Sequence, residues 1–306
     1  MKKKKAITRK EFIKRTSAGV VGAGLFLNAT HTSGMPSGIE KRVLGRTGLE
    51  VTPVGFGASR TQEPALLLAA VDAGINFIDT GRSYANGQNE VMVGKTIKHI
   101  RKELIIQSKV RIRLQESGDA LKSEKVHDQV GEIMAASLDE SLTALQTDYI
   151  DIWLVHGASD VEVLHHEAVL SFFEKAKKAG KIRACGFSTH DNQVPLLKAA
   201  NEKWFYDVYM VTYNYKGAYI HSNTGHHASY DQEGVENALK KAFQENIGIV
   251  GMKTCSAGPY TPDAGSKPTF GKAVQWVTDR PFIHTSAVAM ANFDQIREDT
   301  EFLKTV

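Results

Sequence analysis

Two cysteines, Cys185 and Cys255, are all that 306 residues offer, so no four-cysteine cluster site can form within one chain. Both fall in or beside predicted core strands, and a pair of buried thiols is expected rather than a structural disulfide. No apolar run is long enough for an ordinary membrane-spanning helix. No G-x-G-x-x-G follows the first strand-like segment. Gly55-Phe56-Gly57 is a lone pair of glycines, which speaks against an open dinucleotide-binding sheet. No repeat and no inter-domain linker breaks the text. Positive charge is scarce where a nucleic acid would need it. The formal net charge is +4, yet residues 1–15 carry eight basic residues against one acid, leaving the remainder acidic by three charges. Nucleic-acid binding needs a basic face, which this body lacks.

What is present is an alternation. The chain is 42% hydrophobic and 24% charged, an ordinary globular balance. Around Arg46-Thr47-Gly48, the segments Arg42–Leu44 and Glu50–Thr52 read as a β-hairpin. Apolar, often β-branched runs follow near residues 53–57, 75–79, 104–109, 149–156, 182–188, 208–214, 247–253 and 285–290. Amphipathic stretches lie between them, several ending in a glycine-bearing turn such as Ala73-Gly74 or Ala179-Gly180. Eight strand–helix units with near-continuous apolar strands predict an α/β fold, a closed (β/α)8 TIM barrel with an N-terminal hairpin. The doubly wound open sheet is the runner-up. The longest irregular stretch spans residues 215–233.

Three successive strands each end on an ionisable residue. Asp79 closes one run, Lys109 the next and His156 a third, while Tyr84 follows Asp79 by five residues. Strand C-termini share one face of a barrel, the face on which barrel enzymes place their chemistry. Taken singly, each has a plainer reading. Asp79 can cap a helix, Tyr84 can be a loop aromatic, Lys109 a solubilising charge and His156 a satisfied core histidine.

The text around them resembles the aldo-keto reductase family over most of residues 41–304. The matching segments are Val43-Leu44-Gly45-Arg46-Thr47-Gly48-Leu49, Asp79-Thr80 with Tyr84 and Asn89-Glu90, Asp148-Tyr149-Ile150-Asp151 before His156, and Gly180-Lys181-Ile182-Arg183 before Gly186-Phe187-Ser188. The resemblance implies carbonyl reduction with NADP or NAD and no metal. Asp79, Tyr84, Lys109 and His156 would be the catalytic set. The chemistry accounts for these residue types. A carbonyl that accepts hydride develops negative charge on oxygen and needs a proton donor there. Tyr84 would be that acid. Lys109 would lower its pKa, Asp79 would balance the lysine, and His156 would orient the carbonyl.

By the same resemblance, cofactor contacts fall on Gly57, Ala58, Ser188, Thr189, Asn214, Met252, Lys253, Gln295 and Asp299. Several depart from the family pattern. Thr189 stands where relatives often have Asn, and Met210 where Gln is frequent. Met252 replaces a stacking Tyr and is either a softer cover for a ring or a core-facing strand residue. At the adenosine end Ala289, Gln295 and Asp299 replace a Lys, an Arg and an Asn. Asp299 would repel a 2′-phosphate, which wants a cation, so NAD use becomes plausible; Arg297, one register away, is a candidate compensation.

Residues 1–34 have the basic-then-apolar order of an export signal. Thr8-Arg9-Lys10-Glu11-Phe12-Ile13-Lys14 resembles the twin-arginine motif, with Lys10 at the second arginine. Export to the periplasm or cell envelope is expected, through the export machinery, with a cytoplasmic protein as the alternative. Residues 35–306 form the barrel, expected as a monomer acting on a small carbonyl compound. The chain stops at Val306, where relatives continue into a segment that helps wall the substrate pocket, so an open pocket or a shortened product is expected. His221, His226 and His227 read as a solvated loop rather than a zinc site. Two rival functions remain open: a nucleotide-binding barrel with little turnover, and a lyase using Lys109 as a Schiff base.

Overall fold

The structure, a computed structural model, describes residues 39–221, 225–256, 258–261 and 265–304. The leader read over residues 1–34 lies outside the described residues. Strands β1 (Arg42–Val43) and β2 (Glu50–Val51) pair antiparallel as the expected hairpin. Next come β3 (Val54–Gly57), β4 (Phe77–Asp79), β5 (Ile105–Val110), β6 (Ile150–Val155), β7 (Ile182–Thr189) and β8 (Val208–Thr212). A small antiparallel ribbon follows, made of β9 (Ala218–Ile220) and β10 (His227–Ser229). Strands β11 (Gly248–Met252) and β12 (Thr285–Ala289) complete the set. The ring order is β3-β4-β5-β6-β7-β8-β11-β12, and β12 returns to β3 in parallel with Ser286 opposite Val54, so the barrel is closed. All eight expected strands are in it.

Apolar residues pack in two layers. Between sheet and helices lies the larger layer, with Trp153, Phe173, Phe187 and Tyr206 among its bulkiest members. Along the axis lies a second, joining Phe77, Ile152, Leu154, Val208 and Val250 to Leu44, Leu49 and Val51 of the hairpin. The hairpin is therefore the plug of the barrel's N-terminal end. Each leucine buried there contributes about 1.5–3 kcal/mol.

The hairpin turn also has a polar anchor. Gly45 adopts φ +50, and a Cβ there would stand 2.4 Å from the backbone of Asn246 and Gly248. Only glycine allows that approach. Next to it the Arg46 guanidinium donates to the carbonyls of Trp204, Phe205 and Tyr206 and to Asp207 Oδ1. A second buried clamp joins three strands. Asp151 accepts from Ile106 N, Arg101 and Arg183, at 2.9, 2.9 and 2.8 Å. These bonds give the Gly45-Arg46, Asp151 and Arg183 positions a structural purpose. They also leave the opposite, C-terminal mouth free for polar chemistry.

The structure corrects the reading of residues 215–233 as irregular, since β9 and β10 lie there with His227 opposite Ile220. Among the described residues no group of His, Cys, Asp and Glu could hold a metal ion, and no helix is long and apolar enough to cross a membrane. Cys185 is buried, its thiol pushed up to about 12 by burial and by Asp207. Cys255 is only half-buried, because it sits beyond the end of β11 rather than within a strand.

Candidate active site

Strands β4, β5 and β6 are neighbours in the barrel, so the polar residues closing them meet at one mouth. Lys109 is 1% exposed and Asp79 3%. Lys109 Nζ donates to Asp79 Oδ1 at 2.5 Å, to the Thr80 carbonyl at 2.7 Å and to Tyr84 Oη at 3.2 Å. Gln107 Nε2 donates to the same Asp79 oxygen at 2.6 Å. Asp79 thus caps no helix, and Lys109 is no solubilising charge. Three acceptors for three ammonium protons satisfy a cation that would otherwise be costly to bury.

Burial alone would lower the Lys109 pKa. Asp79 and Tyr84 outweigh it, so the ammonium is held above its ordinary value. A Schiff base starts from a neutral amine, and this geometry opposes one. Tyr84 goes the other way from the simple expectation. Burial raises its phenol, and the opposing charges of Lys109 and Arg111 do not cancel that rise. The lysine moderates the acid without making it strong.

His156, 7% exposed, faces the Tyr84 ring edge-on with centroids 5.4 Å apart. Burial, then Lys109, Arg111 and His190, hold its pKa well below the ordinary imidazole value, so it is neutral. Nδ1 lies 3.1 Å from Ser83 Oγ. With the hydroxyl donating to Nδ1, the tautomer carries its proton on Nε2. That is the form able to donate a hydrogen bond to a carbonyl oxygen.

The Tyr84 turn is strained and braced. Ala85 (φ 47) and Asn86 (φ 52) are both left-handed, at about 1–2 kcal/mol each for a non-glycine residue. Gly87 (φ 85) follows, and a Cβ there would meet Arg82 Nη2 at 1.4 Å. Arg82 pairs with buried Glu90 at 2.7 Å, and Glu90 accepts from Ser108 Oγ at 2.6 Å. Asn89 donates to the Ala58 and Thr61 carbonyls and accepts from Thr80 Oγ1. The Asn89-Glu90 pair therefore ties the loops after β3 and β4 to β5. Thr80, Ser83 and Gln107 were not singled out from sequence. Gln107 had a signal, because it lies two residues before Lys109 on the same strand face.

The nine cofactor positions divide. Gly57 and Ala58 are buried at the end of β3, where a Cβ on Gly57 would stand 3.1 Å from the Val288 backbone. Ser188 Oγ accepts from Gly157 N at 2.9 Å, which leaves its own proton to donate. Thr189 gives its proton to the Asp191 carbonyl. Asn214 donates to the carbonyls of Ala218 and Lys253, so its amide pins the ribbon and the end of β11. Met252 is buried at the top of the axial layer, as the core-facing reading has it. Lys253 is left-handed (φ 55), and its ammonium sits 4.3 Å from the Tyr219 ring centre. On the last helix, Phe293–Glu301, Gln295 Oε1 accepts from Ala291 N, and Arg297 pairs with Asp294 instead of compensating for Asp299. Asp299 is buried, with Oδ1 unpaired and its carboxyl raised to about 7 by burial and by Glu298.

These residues fit a nicotinamide dinucleotide in part. Ser188 has a free donor and Lys253 makes no salt bridge among the described residues, whereas the unpaired Asp299 oxygen is buried away from the surface. A 2′-phosphate fits poorly beside Asp299.

A family model, that of the aldo/keto reductase family, matches residues 54–273. Over 167 residues the chain is 35% identical to an L-galactose dehydrogenase of Arabidopsis thaliana, covering 49% of this chain and 48% of that protein. It is 30% identical over 156 residues to an uncharacterized oxidoreductase, YqkF, of Bacillus subtilis, covering 49% of each. The chain spans about half the length of the curated relatives it matches. Among solved structures, the holo form of an aldo-keto reductase from Bacillus halodurans superposes with a TM-score of 0.67 at 20% identity, covering 88% of this chain and 92% of that one. One from Klebsiella pneumoniae in complex with NADP and acetate gives 0.64 at 21% identity, over 88% and 91%. At such identities the superpositions show the fold alone.

Proposed function

The chain belongs to the aldo/keto reductase family, and on that premise we propose that it reduces an aldehyde or ketone to an alcohol with NADH or NADPH, Tyr84 giving the proton. The cofactor, when bound, supplies the hydride. The carrying observation is the buried Lys109 ammonium, 2.5 Å from Asp79 and 3.2 Å from Tyr84 Oη. Lys109 keeps the phenol hydrogen-bonded and supplies positive charge as it gives up its proton. Neutral His156 directs Nε2–H at the carbonyl oxygen. Asp79, Thr80 and Gln107 keep the lysine in place.

Cofactor contacts are proposed at Gly57, Ala58, Ser188, Met252, Lys253 and Asp299, with Thr189, Asn214 and Gln295 shaping the surrounding turns. Two structural neighbours from Klebsiella pneumoniae hold NADP or NADPH, while one relative, from Escherichia coli, is an NADH-specific methylglyoxal reductase. Asp299 favours NADH in this chain.

Tyr84→Phe is expected to lower turnover at least ~100-fold, the scale of general acid catalysis. Cofactor binding, read by quenching of Trp153, Trp204 and Trp276 fluorescence, should persist. Retained turnover removes Tyr84 from the acid role. The altered adenosine end, with Ala289, Gln295 and the buried Asp299, favours a second reading, a barrel that binds nucleotide with little turnover. Tight cofactor binding with no reduction of any aldehyde selects it.

The order of residues 1–34 supports export of the folded protein. Replacing Arg9 and Lys10 with glutamine should retain it inside the cell on fractionation. An unchanged distribution removes that reading.

A further inference from the structure

The inward face of β5 carries Gln107 and Lys109, both bonded to Asp79. A strand repeats its face every two residues, so the next position on that face is Arg111, one residue beyond the strand. Ile112 and Leu114 turn back and pack against the core. Arg111 and Arg113 are thereby left exposed at the mouth. Neither makes a salt bridge or hydrogen bond among the described residues. Glu116 is an acid nearby in the chain, and its Oε2 accepts from Gln115 N instead. Asp119 pairs with Lys122. Its place two residues after Lys109 sets Arg111 on the side of the mouth that carries the Lys109 site, and its charge acts on both Tyr84 and His156. Partial burial and the like charge of Arg113 lower its own pKa.

Another mouth cation that makes no salt bridge among the described residues is far away. Lys253 follows β11, four strands from β5 in a ring of eight, on the opposite side of the barrel. Two separated anion positions suit two different ligands. A diphosphate near Lys253 leaves Arg111 for something else.

We propose that Arg111, with Arg113 beside it, forms an anion subsite for the substrate, so the carbonyl compounds reduced here carry a carboxylate or phosphate a few bonds from the carbonyl carbon. The substrate role rests on the reductase reading; the anion subsite does not. A guanidinium offers either oxyanion two parallel hydrogen bonds, which also fixes the substrate's direction toward Tyr84.

The test has a binding arm and a turnover arm. Butanoate and inorganic phosphate are titrated by calorimetry into the wild type, Arg111→Gln and Arg111→Lys. At least one anion should bind the wild type saturably, and the stronger names carboxylate or phosphate as the natural group. Arg111→Gln should weaken it at least ~10-fold, with Arg111→Lys in between because it keeps the charge and loses the fork. No binding to the wild type, or equal binding to all three, overturns the proposal. Weakened NADH binding in Arg111→Gln also overturns it, because the arginine would then serve the cofactor. In the turnover arm, 4-oxobutanoate is compared with butanal, and glyceraldehyde 3-phosphate with glyceraldehyde. The kcat/KM ratio of charged to neutral should exceed ~10 in one pair and collapse toward one in Arg111→Gln, a difference of about 1.4 kcal/mol. Equal turnover within both pairs sinks the proposal and leaves the reductase standing. Anion binding without turnover of any aldehyde does the reverse.

Discussion

The two sides of the barrel mouth are built differently. On the β4–β5–β6 side the Asp79–Lys109 pair and the Tyr84 turn are each held by several polar partners. Asp79 receives two donors, Lys109 gives three bonds, and the Tyr84 turn is locked by Arg82, Asn89 and Glu90. On the β11–β12 side the Met252 side chain packs in the apolar axial layer, Lys253 rests on a ring, and Asp299 keeps an unpaired oxygen. A site that must place a proton within hydrogen-bond distance needs the first kind of construction. A site that chooses between two forms of a nucleotide can be retuned one residue at a time, and the second kind permits that.

The sharpest way to break this contrast is to unpair Lys109. Asp79→Leu leaves a buried ammonium without its counter-charge, and about 3–5 kcal/mol of stability should be lost. Urea denaturation measures it. Lys109→Met with Asp79→Leu should recover much of that loss while remaining inactive. A single Asp79→Leu as stable as the wild type would mean that the Thr80 carbonyl and Tyr84 suffice to hold the lysine.

The two sides should also answer pH with opposite sign. His156 has a native pKa well below its unfolded value of about 6.5. The unfolded chain therefore binds the extra proton first, and stability from this group is lost as pH falls below about 6.5, by at most ~1.4 kcal/mol per unit. Asp299 is raised to about 7 by burial. Between its unfolded value of about 3.9 and 7 the native state holds the extra proton, so its contribution is lost as pH rises through that window. His156→Gln should flatten the acid loss, and Asp299→Asn the opposite slope. Denaturation midpoints at pH 5, 6 and 7 decide both. Slopes of the same sign would dissolve the comparison.

A smaller effect concerns the cofactor. Asp299→Asn should strengthen NADPH relative to NADH about 10-fold at pH 8, or about 1.4 kcal/mol, and less at pH 6, where Asp299 is already mostly protonated. Tryptophan quenching reads both affinities. An unchanged ratio would move the adenosine end away from the last helix.

Much of this was legible in the sequence, for identifiable reasons. The barrel strands are continuous apolar runs because both faces of the sheet are covered, and that pattern marks their ends as well. Asp79, Lys109 and His156 stand at those ends. Less legible were groups that act through backbone or through parity. Ser83 is one exposed serine among many until His156 lies 3.1 Å away. Gln107 looks like a polar slip in a strand until its amide reaches Asp79. The ribbon β9–β10 is three residues a side, too short for periodicity to speak. The direction of the Tyr84 shift was beyond reach, because it depends on how far burial outweighs Lys109, and burial is a property of the assembled mouth.

Met252 carries the smallest prediction and separates its two readings. If it only fills the axial layer with Met210, Val250 and Ala287, then Met252→Leu, a near-isosteric swap, should cost less than about 1.5 kcal/mol and leave the cofactor affinity unchanged. If its thioether also covers a ring, Met252→Tyr should tighten nicotinamide cofactors a few-fold, since an aromatic pair is worth about 0.5–1.5 kcal/mol beyond its area. The buried position argues for some of each, because the last residue of β11 has the core below it and the mouth above. A Tyr variant that binds NADH more weakly, with its stability intact, would show the space above Met252 to be too small for a larger ring. The β11 side would then be as rigidly specified as the β5 side.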